Sequence, residues 1–174
     1  MDNLKDFIIP FRGLSLGVHK YDWEIGKKFF ESIENTEIQD ANITVSLELE
    51  KQERLMILNF LIEGEMVVLC DRCLDDLKLT ITTKETFYVK IGAVEMGMEE
   101  AENILVIPET EYKIDIGLLV NEFITLSLPL KKVHGEDENG ISECNPEALK
   151  KLEELSAKNK IDPRWDKLKN IKLD

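Results

Sequence analysis

Apolar and polar residues alternate along the middle of the chain, a pattern typical of β-strands with one buried face. The alternation starts at Ile43 and continues to Leu49. The polar segment 51–54 then predicts a turn into a second strand at 55–63, which is apolar almost throughout. We therefore expect a hairpin whose second strand is buried on both faces.

Three more segments extend this pattern beyond the hairpin. Gly64 interrupts the apolar run, and a short strand is expected at 66–69. From 77 to 91 the apolar residues again occupy odd positions, which predicts one long strand with a single apolar face. A last edge strand is expected at 104–107. Together these segments predict a core of about five antiparallel strands.

Helical spacing of apolar residues occurs on both sides of the strand region. A first helix is expected over 22–33, and a second begins at Asp115 and stops before Pro129. Asn145 is expected to cap a third helix that has Pro146 at its first position, and a final short turn is expected over 162–171. This order predicts an α+β fold with an N-terminal helix, an antiparallel sheet and C-terminal helices.

Charge divides the chain unevenly. The 174 residues include 35 acidic and 22 basic side chains, a formal net charge of −13. Residues 146–174 carry eight basic and six acidic side chains, so the remaining residues carry a charge of −15. We therefore expect an acidic body at 1–131, a polar connection at 132–145 and a basic helical tail at 146–174.

An acidic body disfavours extensive direct binding to bare nucleic acid, because polyanions attract Lys and Arg rather than carboxylates. No apolar run approaches a membrane span, and the first residues do not form a secretory signal. The sequence thus predicts a cytoplasmic protein without a membrane partner.

The most specific local motif is Cys70-Asp71-Arg72-Cys73, a CxxC between two predicted strands. Two thiolates at this spacing provide half of a tetrahedral zinc site. His134 and Cys144 are the candidates for the other half, and His19 is the only further histidine or cysteine. The alternative is that these cysteines are reduced thiols without a metal. A thioredoxin-like role does not fit, because that motif begins a helix.

Motifs of enzymes are not evident. The chain contains no GxGxxG, no GxxxxGK[ST] and no GxSxG, so neither an enzyme nor a small-molecule substrate is implied. The C-terminal segment offers a candidate partner-binding site in which Trp165 fills a pocket and Arg164, Lys167 and Lys169 form its polar rim. The equally weighted alternative is that Trp165 only anchors the segment on the body.

Three segments together resemble the YceD family, whose members are described as large ribosomal RNA subunit accumulation proteins. They are Cys70 to Leu74, the stretch from Ile114 through the Leu128-Pro129-Leu130 triplet to His134, and 162–168. Many family members carry further cysteines after the Leu-Pro-Leu triplet, where this chain has only His134 and Cys144.

The resemblance implies a non-enzymatic cytoplasmic factor that supports accumulation or processing of large-subunit ribosomal RNA. Because the body is acidic, we expect its partner to be a ribosomal or ribosome-assembly protein with a basic surface. The alternative is a direct RNA-binding factor whose basic tail docks on precursor ribosomal RNA, with Trp165 stacked on a base.

Overall fold

The computed structural model describes residues 4–33, 36–92 and 103–157. Within these residues, two single 3₁₀ turns lie at Leu4–Phe7 and Phe11–Gly13. The strands and helices are, in chain order, β1 (Ile8–Ile9), β2 (Gly17–Gly26), α1 (Lys27–Glu31), β3 (Ile38–Lys51), β4 (Leu55–Leu69), β5 (Asp76–Ile91), β6 (Ile104–Ile107), β7 (Ile114–Asp115), α2 (Gly117–Leu126) and α3 (Pro146–Ala157).

The chain divides into two compact units. Among the described residues, the first unit holds those up to Leu69 together with Asp76–Lys132, and the second holds Cys70–Asp75 together with 133–157. All the strands, α1 and α2 therefore belong to the first unit, and α3 belongs to the second. No helix in the described part of the chain is long and apolar enough to cross a membrane.

The first unit is built on a five-stranded sheet with the order β2-β3-β4-β5-β6, beside a short β1–β7 pair. The alternating pattern predicted the inner face correctly, because Ile43, Val45 and Leu49 on β3 and Leu58 on β4 are completely buried. The hairpin turn is closed by the Gln52 amide, which donates to the carbonyl of Leu55 over 2.8 Å. The α+β class is confirmed.

The prediction of a purely antiparallel sheet is wrong, because β6 runs parallel to β5 with Tyr88 opposite Ile104. A parallel neighbour needs a connection of about a dozen residues, since the chain must return to the same end of the sheet. The segment between these strands has that length. The alternation of side chains within a short strand does not reveal its direction, so the sequence pattern could not distinguish the two arrangements.

The N-terminal helix predicted over 22–33 is present only as one short turn, and the prediction is wrong for its first residues. Residues up to Gly26 form the edge strand β2, and only the single turn α1 is helical. Trp23 and Ile25 alternate with the exposed Asp22, a period of two that fits a strand. Trp23 stacks on Phe7 with ring centroids 5.2 Å apart, so this strand contributes aromatic packing to the core.

Gly64 does not end a strand, as the sequence suggested, because β4 continues through it to Leu69. A Cβ at this position would lie 2.3 Å from the backbone oxygen of Asn42 and 2.6 Å from the Cα of Ile43. The glycine also has φ of +155°, a conformation that L side chains rarely adopt. The residue therefore permits a close approach of β3 within a continuous sheet.

The two later helices begin close to the predicted positions. Asp115 belongs to β7 and Ile116 is the N-cap of α2, but Asp115 Oδ1 accepts the amide of Gly117, the first residue of the helix, over 2.9 Å. Asn145 Oδ1 accepts the Glu147 amide over 3.0 Å and the Ala148 amide over 3.4 Å at the start of α3. The turn expected over 162–171 lies outside the described residues.

Candidate metal centre

Cys70 and Cys73 lie on the turn that joins β4 to β5. The Leu74 amide donates to the Cys70 carbonyl over 2.9 Å, and the Cys70 amide donates to the Asp75 carbonyl over 2.9 Å. Leu74 adopts φ of +63°, which is uncommon for a residue other than glycine and closes the turn tightly. This knuckle, defined as Cys70–Asp75, is part of the second unit.

A short loop returns the chain from His134 to Cys144. Within it, the Glu143 amide donates to the Gly135 carbonyl over 3.0 Å, and the Asp137 amide donates to the Ile141 carbonyl over 2.8 Å. Asp137 Oδ1 accepts the amides of Asn139 and Ile141 over 2.9 and 2.8 Å. This hairpin loop, residues 135–143, therefore joins two ligand candidates whose separation in the sequence is wider than in common zinc motifs.

The four side chains predicted as ligands meet at one point. The sulfur atoms of Cys70, Cys73 and Cys144 and a ring nitrogen of His134 all lie within 4.8 Å of one another. The Cys70 and Cys144 sulfurs are 3.8 Å apart, and the Cys73 sulfur is 3.4 Å from His134 Nδ1. All three cysteines are free thiols and buried.

These distances fit the edges of a zinc coordination tetrahedron. Zn–S bonds of about 2.3 Å and Zn–N bonds of about 2.0 Å give edges of roughly 3.8 Å between two sulfurs and roughly 3.6 Å between sulfur and nitrogen. Three thiolates and one imidazole are also among the ligand sets of structural zinc sites. Within the described residues, this is the only group of three or more ligand side chains found close enough to hold an ion.

The surroundings of Cys70 favour its charged form. Burial raises the pKa of the Cys70 thiol, but the backbone N–H groups of Cys73, Arg72 and His134 and the Cys73 side chain outweigh it and lower the pKa to about 6. Hydrogen bonds donated to a thiolate stabilise it relative to the thiol. Cys70 is therefore mostly a thiolate at neutral pH, the form that binds metal ions.

Polar side chains outside the four ligand candidates connect the knuckle to the hairpin loop and to α3. Arg72 Nη1 donates to Ser142 Oγ over 3.2 Å, and Ser142 Oγ also accepts the Cys144 amide over 3.3 Å. Asn145, which caps α3, donates through Nδ2 to Asp75 Oδ2 over 3.1 Å. The same elements that carry the thiols thus also fix the start of α3.

The remaining sequence candidates are not part of this cluster. His19 lies on β2 in the first unit, where its Nε2 is 2.9 Å from the Ser15 carbonyl oxygen. The proposed partner-binding residues Arg164, Trp165, Lys167 and Lys169 lie outside the described residues.

Sequence reasoning treated the hairpin loop as a polar connection and missed the residues that shape it. Asp137 accepts two amides of the loop, and Gly140 adopts φ of +76°. An aspartate followed three residues later by glycine is a signal for a tight turn, because aspartate caps turn amides and glycine tolerates positive φ. This signal was present between the two ligand candidates.

Comparison with known families gives a match over most of the chain. The model of a family described as large ribosomal RNA subunit accumulation protein YceD matches residues 58–172, which is more than half of the chain. The matched range includes the knuckle, the hairpin loop and all four ligand candidates. No curated protein matches the chain, and no solved structure matches it.

Proposed function

The chain belongs to the YceD family of large ribosomal RNA subunit accumulation proteins, and we propose that it acts as a non-enzymatic factor that binds a ribosomal or ribosome-assembly protein. The observation that carries the proposal is the family match. It covers most of β4, all later strands, both later helices and the cysteine cluster. The family description supports a role in accumulation of large-subunit ribosomal RNA, and a role in its processing is part of the proposal.

The charge distribution supports a protein partner. Residues 1–145 carry a net charge of −15, which repels the phosphate backbone of RNA and attracts basic proteins. Complementary potentials accelerate encounter between partners and disfavour partners of the same sign. An acidic factor in a ribosomal RNA pathway is therefore suited to holding a basic ribosomal protein before or during assembly.

We further propose that the cluster holds one zinc ion through the thiolates of Cys70, Cys73 and Cys144 and through His134. Four protein ligands complete a tetrahedral coordination shell, whereas catalytic zinc sites usually leave one position for water or substrate. The ligands come from the knuckle and from both ends of the hairpin loop, so the ion would cross-link these segments. This arrangement supports a structural role for the metal.

The function is tested by the sedimentation of the native protein through a gradient of ribosomal particles, followed by chemical cross-linking. We expect the protein to travel with precursors of the large subunit and to cross-link to a basic ribosomal or assembly protein. Treatment with ribonuclease before cross-linking serves as the control, because a direct protein contact survives the loss of RNA.

Two other results would contradict the proposal. Cross-links to RNA alone, abolished when residues 158–174 are removed, would favour the alternative of RNA binding through the basic tail. If the protein remains at the top of the gradient in every condition, it does not bind ribosomal particles, and the proposal is wrong.

A further inference from the structure

An open groove lies beside α2 on the inner face of the sheet in the first unit. Its volume is about 420 Å³. The lining side chains that matter here are four apolar ones and two carboxylates: Phe87, Leu119, Phe123, Leu126, Glu85 and Glu122. Because α2 covers only part of this face, apolar surface remains accessible between the helix and β5.

The floor of the groove is ordered by aromatic packing. Phe123 is buried and meets Phe60 edge to face, with ring centroids 5.3 Å apart, and Phe87 at 6.4 Å. At the end of α2, Leu126 exposes 73% of its surface, far more than the apolar residues beneath it. The groove therefore has a largely polar accessible lining, a floor fixed by aromatic rings and one prominent apolar contact, Leu126, on which an anchoring side chain can pack.

The rim of the groove is negative. Glu122 is exposed and forms no ion pair with any described residue, and Glu85 accepts only the Thr83 hydroxyl, over 3.1 Å. No lysine or arginine is among the described residues that line the groove.

We infer that this groove is the docking site for a basic amphipathic segment of the protein partner, an inference that rests on the proposed function. An apolar side chain of the segment packs between Phe87, Leu119 and Leu126. Lysine or arginine residues on either side of it pair with Glu85 and Glu122. A partner with this chemistry fits both the apolar floor and the negative rim.

Charge disfavours three other occupants: RNA, residues 93–102 of this chain and an uncharged ligand. RNA would bring its phosphates against the two carboxylates, and residues 93–102 of this chain would bring four more negative charges. An uncharged apolar ligand would leave the carboxylates at the rim without a complementary group.

For the first test, proteins are stripped from purified large ribosomal subunits with high salt. The immobilised full-length chain is then incubated with them, and the amount of captured protein is measured. Glu122→Lys and Leu126→Ser should each reduce capture of the main bound protein by about fivefold or more, since anchoring contacts dominate binding. The matched controls are Glu63→Lys, an exposed glutamate on the outer face of β4, and Leu16→Ser, a leucine with 61% exposure. Both controls should leave capture within about twofold of wild type.

The second test identifies the occupant directly. A photo-reactive phenylalanine analogue in place of Leu126 should cross-link to a segment rich in lysine or arginine in the captured protein. A cross-link to residues 93–102 or 158–174 of this chain, or to a second copy, would overturn the inference.

The results separate this inference from the proposed function. If the wild type and all four variants capture equal amounts, or if the controls lose as much capture as the groove variants, the groove is not the docking site. The proposed function is not affected by either result. No capture by the wild-type chain contradicts the proposed protein partner itself, and the docking inference then falls with it.

Discussion

The two units are stabilised in different ways. In the first unit, three paired strands of 14 to 16 residues each bury a continuous apolar face, with Ile43, Leu58 and Ile62 completely buried. In the described part of the second unit, every buried residue is a cysteine: Cys70, Cys73 and Cys144. Among the described residues, one unit therefore has an apolar core, and the other has a cluster of buried thiols.

The size of the second unit limits how much apolar surface it can bury. Small units gain less from apolar burial than large ones, and the smallest usually need disulfides, metals or oligomerisation. The three cysteines of the second unit are free, so disulfides do not supply the missing stability. A bound metal would do so, because its binding free energy is available only to the folded ligand set.

The largest effect is expected from removal of the metal. We predict about one zinc ion per chain, and its loss in Cys73→Ser or His134→Asn. Structural zinc contributes roughly 10 to 16 kcal/mol in small zinc-dependent folds, so the knuckle, the hairpin loop and α3 should lose protection from hydrogen exchange. The amides of β3 and β4 should remain protected, because apolar burial stabilises them. Elemental analysis and residue-resolved hydrogen exchange measure both effects.

The matched control for this prediction uses the other histidine. His19→Asn should keep its zinc, because His19 lies on β2 outside the cluster. Wild-type protein purified without chelator that contains no zinc, yet has a fully protected second unit, would falsify the metal site. Full zinc content in Cys73→Ser would remove that residue from the ligand set.

Gly64→Ala should destabilise the first unit and leave the second intact, which is the opposite of the effect of metal removal. Its Cβ would meet the backbone of β3 at 2.3 and 2.6 Å, and its φ of +155° strains any L side chain. We expect the first unit to lose about 3 kcal/mol or more of unfolding free energy, since backbone strain and steric overlap combine. The zinc content should not change, because no ligand candidate belongs to this unit.

Urea unfolding followed by circular dichroism measures the effect of this substitution. Gly13→Ala is the control, because a Cβ at Gly13 meets nothing within 4 Å. Similar unfolding midpoints for the two variants would show that the sheet can relax around Gly64. Loss of zinc in Gly64→Ala would contradict the independent stabilisation of the two units.

The two units also differ in how far the sequence predicts them. Period-two alternation predicted β3 and β5, because burial on one face directly determines residue choice in long strands. The start of β4 was instead expected to be buried on both faces, which is wrong, because Asn59 and Glu63 are exposed on one of them. The alternation was overlooked in β2, where Asp22 resembled a helix cap although Trp23 and Ile25 point to the buried face. The direction of β6 and the continuity of β4 through Gly64 depend on tertiary pairing, which a local pattern does not contain.

For the cluster, composition was more informative than spacing. The chain has so few cysteines and histidines that the four candidates could be chosen by residue type. Whether they meet depends on the hairpin loop, whose hydrogen bonds through Asp137 and Ser142 are tertiary or turn features. The groove beside α2 could not be predicted, because it results from how little of the sheet one short helix covers.

The smallest effect is expected from Asp137→Ala, which tests whether the hairpin loop positions His134 and Cys144. The pKa of Asp137 is lowered by the Ile141 amide and, against some desolvation, by the Asn139 amide. A lowered folded-state pKa means that the carboxylate stabilises the loop above its unfolded pKa, and that this contribution is lost as the pH falls through the folded-state value. The effect is therefore fully present at neutral pH.

Removal of this carboxylate should weaken zinc binding by about tenfold, because substitution of residues that hold metal ligands in position commonly lowers the affinity by this amount or more. Competition with a chromophoric chelator at pH 7 measures the affinity, and Glu138→Ala is the matched control, since Glu138 is an exposed neighbouring carboxylate. Equal affinities in the two variants would mean that the ligands hold the loop in place, rather than the loop holding the ligands. The metal, rather than the hydrogen bonds of the loop, would then hold the described part of the second unit together, whereas apolar burial stabilises the first unit.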